Sequence, residues 1–190
     1  MQLAWKVAEG SKVRLRDYDP DFVDKHTDRA LAAAEIEKLS EELGELQQLL
    51  AAAQHHSLLI VLQGMDTSGK DGTIRQVMAQ VNPLGCEVRS FKGPTSRERV
   101  HNLVPEKVWR RRYAAINDFE RLLAQNDMII LKFYLHISYE EQEQRLLARQ
   151  ADKTKAWKLS SADWAERKYW NDYQQAYGDA LSRCSTDVAP

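Results

Sequence analysis

Net charge is almost missing from this chain: 27 Lys and Arg stand against 28 Asp and Glu, leaving −1 at pH 7 over 190 residues. So close a balance gives no whole-molecule field to recruit nucleic acid or an anionic membrane surface, so any anionic partner must be held by a local cluster. Cysteine is nearly absent too. Cys86 and Cys184 stand apart, with no CxxC pair and no His/Cys grouping at metal-ligand spacing, which argues against a disulfide scaffold or a zinc site and leaves reduced, structural thiols. No run approaches the roughly 18 apolar residues of a membrane span, and the N-terminal MQLAWKVAEGSKVRLRDYDP has no apolar leader core. A cytoplasmic protein is expected, with neither nucleic acid nor membrane as partner.

What is present is an ordinary 43% hydrophobic content, enough for one domain with a substantial core. One stretch organises it. Residues 57 to 73 read SLLIVLQGMDTSGKDGT: an apolar strand from Leu58 to Leu62, a glycine-punctuated loop holding a lysine, and a helix start. That is the order of a phosphate-binding loop.

Around it, residues 1 to 26 show no sustained period and read as an arm laid over the domain. From Asp28 to about Ala53, Leu31, Ile36, Leu39, Leu43, Leu46 and Leu50 recur at threes and fours, predicting a helix whose apolar stripe packs on the core. His55 and His56 suit the end of that helix as capping groups. A short helix Thr73 to Val81 stops near Asn82-Pro83. A second strand is expected at Cys86 to Phe91, a helix from Pro105 to about Gln125, and a third strand from Met128 to Ile137. Ser138 with Glu141 makes a capping box for a helix to about Gln150. Ser160 or Ser161 opens a last helix to Leu181, whose Trp164, Tyr169, Trp170, Tyr173 and Tyr177 read as core in preference to a base-stacking platform. Alternating strands and helices imply an α/β layered domain with a parallel sheet, apolar on both faces.

Gly64-Met65-Asp66-Thr67-Ser68-Gly69-Lys70 fits GxxxxGK. Its glycines let backbone N–H groups converge on phosphate oxygens, and Lys70 adds a point charge where negative charge accumulates during transfer. Two departures carry information. Asp71 stands where a Ser or Thr hydroxyl would ligate Mg²⁺, and Asp66 puts a carboxylate inside a loop that faces polyanions. A cation between Asp66 and the phosphates removes that conflict, so Asp66 reads as a Mg²⁺ ligand.

With GMDTSGKDGT, VNPLGCEVRSFKGPT, VHNLVPEKVW and LKFYLHIS leading into EEQEQRLLAR, the chain resembles the polyphosphate kinase 2 family over nearly its whole length. The resemblance implies a three-layer P-loop kinase-like fold with a parallel sheet flanked by helices and a helical lid. It implies phosphoryl transfer between inorganic polyphosphate and a nucleotide, AMP, ADP or ATP, with Mg²⁺. On this reading residues 1–27 are an arm, 28–56 an amphipathic helix, 57–150 the core, 151–160 a lid loop and 161–190 a C-terminal helix. The family's catalytic groups fall on Asp66, Lys70 and Arg149. Gly64, Met65, Thr67, Ser68, Gly69, Asp71, Gly72 and Thr73 complete the loop, with Arg145 one helical turn before Arg149 and Lys92 on the polyphosphate path. Arginine's planar fork suits phosphate, and residues four apart share a helix face. Lys153, Lys155 and Lys158 make the lid basic. The helix from Asp28 and the aromatic-rich last helix offer surfaces for a homo-oligomer.

One part of the pattern is missing. Between Phe91 and Pro105 the family carries several tens of residues, with a helix, a strand and a second phosphate-site motif; here Ser96-Arg97-Glu98 runs straight into Arg99-Val100-His101. Either the segment exists in the polypeptide and the sequence joins its two flanks, or the polypeptide lacks it. The first predicts consecutive Cα atoms near Glu98 and Arg99 farther apart than about 3.8 Å. A different small-molecule P-loop kinase, or a non-catalytic phosphate-binding protein if the segment is absent, are the rival readings.

Overall fold

The structure, a computed structural model, describes residues 4–23, 28–91, 95–152 and 161–190. Lys92 and the lid residues Lys153, Lys155 and Lys158 lie outside them. Two parallel strands, β1 (Ser57–Gly64) and β2 (Met128–Leu135), pair in register from Ser57 opposite Met128 to Gly64 opposite Leu135. Helices flank this sheet. In chain order they are α1 (Arg29–Ala53), α2 (Lys70–Val77), α3 (Thr95–Val100), α4 (Glu106–Ala124), α5 (Tyr139–Ala151), α6 (Ser161–Glu166) and α7 (Trp170–Cys184).

Local chemistry sets several boundaries. Asp28 caps α1 by accepting from Ala30 N at 2.7 Å. Ser138 Oγ accepts from Glu141 N at 3.0 Å and starts α5. The capping box is only half made, because the Glu141 carboxylate is taken by Arg145 Nε at 2.6 Å. His56 does not cap α1; its Nδ1 lies 3.3 Å from Asp127 O, at the entry to β2.

The core joins distant parts of the chain. Val13 and Leu15 from the arm, Met65 from the loop after β1, and Tyr173 and Tyr177 from α7 form one buried cluster, with Tyr169 and Trp170 partly buried against it. Tyr173 and Tyr177 are therefore core, with Tyr169 and Trp170 against them, while Trp164 stands half-buried outside the cluster with the Arg167 guanidinium 5.7 Å from its ring. The arm is stitched down by Val13 N donating to Ser182 Oγ at 2.8 Å. Ile130 in β2 and Leu146 in α5 are fully buried between sheet and helices.

Several expectations fail, for related reasons. Cys86–Phe91 forms no strand and pairs with no strand among the described residues, leaving Val88 61% and Phe91 88% exposed. A strand forms only where a neighbour takes its backbone hydrogen bonds. β1 and β2 are not apolar-buried on both faces: Leu58, Ile60, Ile129 and Phe133, on one face by register, are open to solvent. Two strands make a strip about 10 Å wide, no wider than one helix, so the sheet cannot seat helices fully on both sides. The α1 stripe is likewise uncovered, with Leu31, Ile36, Leu39 and Leu46 exposed, and the face that packs is that of Ser40 and Gly44. The last helix is broken by a 3₁₀ turn at Arg167–Tyr169.

At Glu98 and Arg99, α3 runs through both residues, and Leu103 N donates to Glu98 O at 2.8 Å. The junction is tightly held. Arg99 donates to Tyr113 Oη at 3.0 Å, pairs with Asp179 at 2.7 Å and lies 4.3 Å over the Trp109 ring. His101 Nε2 sits 2.9 Å from Glu166, which also accepts from Tyr173 Oη at 2.8 Å. Burial opposes the Glu166 charge, but these hydrogen bonds hold its carboxyl below the usual range.

Candidate phosphate-binding site

At the carboxyl end of β1 the backbone turns sharply at Gly64, where a Cβ would stand 2.4 Å from Ser68 Oγ and 2.8 Å from Leu135 O. Only glycine fits so close an approach. Thr67 is left-handed at φ 60°, Ser68 N donates back to Met65 O at 3.1 Å, and Gly69 at φ 100° starts α2. Met65, Thr67 and Ser68 are buried. The result is a tight turn on the N-terminus of a helix, where backbone N–H groups and the helix dipole favour an anion.

Lys70 folds across this turn. Its Nζ donates to Gly64 O at 2.8 Å, Met65 O at 2.9 Å and Ser68 Oγ at 3.2 Å. Burial pushes its ammonium below the ordinary lysine value, opposed by the carboxylates of Asp66 and Asp71 and reinforced by Arg149. Arg149, mostly buried near the end of α5, reaches over the loop to within 3.7 Å of the Asp66 carboxylate. Asp66, Lys70 and Arg149 thus converge from two elements far apart in sequence. Gly64 to Thr73 form the loop and first helical turn, with Thr73 N donating to Gly69 O at 2.9 Å, and the Cβ position of Gly72 is open.

Arg145 is placed beside the loop, with its guanidinium already engaged: Nε donates to Glu141 and Nη1 to Thr67 O at 3.0 Å. Gln142, which no motif in the sequence marks, is 4% exposed and donates from Nε2 to Asp66 O at 3.2 Å. The available signal was its spacing: residues 142, 145, 146 and 149 lie on one helix face.

Among the described residues no three His, Cys, Asp or Glu side chains group as a metal site. The half-exposed Asp66 carboxylate is the charged oxygen donor of the turn that precedes α2, with Asp71 already in the helix. One carboxylate suits a hard cation that brings phosphate and water oxygens with it.

The profile of the family described as polyphosphate kinase 2 matches residues 26–104 and again 98–190. An AMP/ADP-polyphosphate phosphotransferase of Meiothermus ruber is 39% identical, over 98% of this chain and 82% of its own length. An ADP-polyphosphate phosphotransferase of Rhodopseudomonas palustris is 34% identical, over 98% of this chain and 80% of its own. A crystal structure of polyphosphate kinase 2 from Arthrobacter aurescens TC1 superposes with a TM-score of 0.88 at 35% identity, over 97% of this chain and 78% of that one. The alignment with the Meiothermus protein runs over 220 positions, at least thirty more than this chain has residues, and the two profile matches meet at 98–104. The relatives carry a segment there that the 190 residues do not.

Proposed function

Because the chain belongs to the polyphosphate kinase 2 family, we propose that it transfers phosphoryl groups between inorganic polyphosphate and a nucleoside mono- or diphosphate through the loop from Gly64 to Thr73. The observation that carries this is the convergence of Lys70, Asp66 and Arg149 on one helix N-terminus. Backbone N–H groups of the loop cradle the phosphate chain. Lys70 and Arg149 bring two positive charges to the oxygens of the transferring group, which is where charge builds up in a loose phosphoryl-transfer transition state. Asp66 is the residue that would hold Mg²⁺, which when bound screens the charge of donor and acceptor phosphates. A cytoplasmic location accords with two free cysteines.

The test is direct. Purified protein given AMP or ADP with polyphosphate and Mg²⁺ is expected to form the next higher nucleotide, and Lys70→Ala to abolish it. The missing segment favours one rival: binding of tripolyphosphate without any transfer would establish an anion-binding protein and overturn the enzymatic reading.

A further inference from the structure

We propose that Gln142 and Arg145 are positioning residues that hold the phosphate-binding loop from behind, so that α5 sets the loop's shape as well as supplying Arg149. The proposal rests on the loop being the anion site. The two side chains grip consecutive carbonyls: Gln142 Nε2 reaches Asp66 O at 3.2 Å and Arg145 Nη1 reaches Thr67 O at 3.0 Å. Those carbonyls flank the left-handed Thr67, at φ 60°. A residue with a Cβ adopts that conformation only when its surroundings hold it there. A carbonyl and the following N–H point in opposite directions across a peptide plane. Fixing Asp66 O and Thr67 O toward α5 therefore aims the N–H of Thr67 away from α5 and turns the N–H of Ser68 the same way, onto Met65 O at 3.1 Å.

The grip is itself rigid. Gln142 is 96% buried on a face that also carries the fully buried Leu146, and Arg145 is braced by Glu141 at 2.6 Å, whose own N–H is held by the Ser138 cap. Arg145 Nη1 also stands 3.3 Å from where a Cβ on Gly69 would be, so it closes the rear wall of the turn. With two of its donors spent on protein oxygens, Arg145 acts through the loop and Arg149 acts on the phosphate.

Amide hydrogen exchange in the full chain tests this without relying on activity. Gln142→Met keeps length and volume, Arg145→Met keeps the unbranched stem, and both remove the donors. Exchange at Thr67, Ser68 and Gly69 is expected to accelerate about tenfold or more, with Ile130 in β2 unchanged. In transfer assays kcat is expected to fall about tenfold or more, with KM for polyphosphate within about twofold, as for a misplaced catalytic geometry. Arg145→Lys, which keeps the charge but lacks the two-way fork, is expected to behave like Arg145→Met. Unchanged loop exchange, an equal acceleration at Ile130, or a raised polyphosphate KM rescued by Arg145→Lys would overturn the proposal. A wild-type protein without transfer activity would sink the enzymatic reading and leave the exchange result standing.

Discussion

Lys70 holds its charge at a disadvantage. Burial lowers its proton affinity, Asp66 and Asp71 restore part of it, and Arg149 takes some away. A phosphate chain favours the protonated form, so binding raises the lysine's pKa and draws in a proton wherever the pH exceeds the free-state value. Affinity for tripolyphosphate is therefore expected to decline with rising pH from a point below that of an ordinary lysine, about 10.4. Calorimetry in buffers of different ionisation enthalpy should show proton uptake over that range, and Lys70→Met should lose it; the same uptake in Lys70→Met would contradict the argument. These residues were legible because the loop is local: ten consecutive positions, Gly64 to Thr73, carry nearly all its chemistry. Gln142 was not, since its partner Asp66 lies 76 residues away and nothing in the string EEQEQRL marks a glutamine as buried.

Between elements, the best-defined tie is ionic. Lys132 of β2 donates to Glu120 of α4 at 2.6 Å and also to Cys184 O at the end of α7, so one ammonium joins three elements. Both side chains are largely buried. Removing one partner of such a pair costs about 3–5 kcal/mol, whereas replacing both with apolar groups is often neutral. Glu120→Gln is accordingly expected to lower the urea midpoint strongly and Glu120→Leu with Lys132→Met to recover most of the loss. Near-equal stability of all three proteins would show the tie to be incidental. Burial also pushes the Cys184 thiol up to about 11, in keeping with an inert structural cysteine. Helix and strand types were readable from periodicity, and α4, α5, β1 and β2 fall close to their predicted ranges. Burial was not readable for α1 or for residues 86–91, because a period reveals which side is apolar and not whether anything lies against it.

At the scale of the molecule, apolar surface is left without cover. One face of the two-stranded sheet, most of the α1 stripe, and Leu84, Val88 and Phe91 stand open, alongside residues 86–91, which pair with no strand among the described residues. Parallel sheets are ordinarily buried on both faces, and open apolar edges and patches promote association. The protein is expected to self-associate with concentration in sedimentation velocity, and Val88→Lys with Phe91→Lys to shift the equilibrium toward monomer. A monomer that stays monodisperse at hundreds of micromolar would show these surfaces to be covered in solution. Grafting in the segment carried by the Meiothermus relative, inserted between Glu98 and Arg99, should raise Tm and reduce the association together.

The arm has a consequence in time. Val13 packs with Met65 and Tyr177 and is tied to Ser182, 169 residues away, so the underside of the loop after β1 is built from residues far to either side of it in the sequence. Contacts of such separation form late and slow the folding of small domains. During synthesis the loop leaves the ribosome long before α7 does. Until residue 182 has emerged, Met65 lacks its wall, and the nascent chain, which already carries every atom of the loop, does not yet hold it in its folded shape.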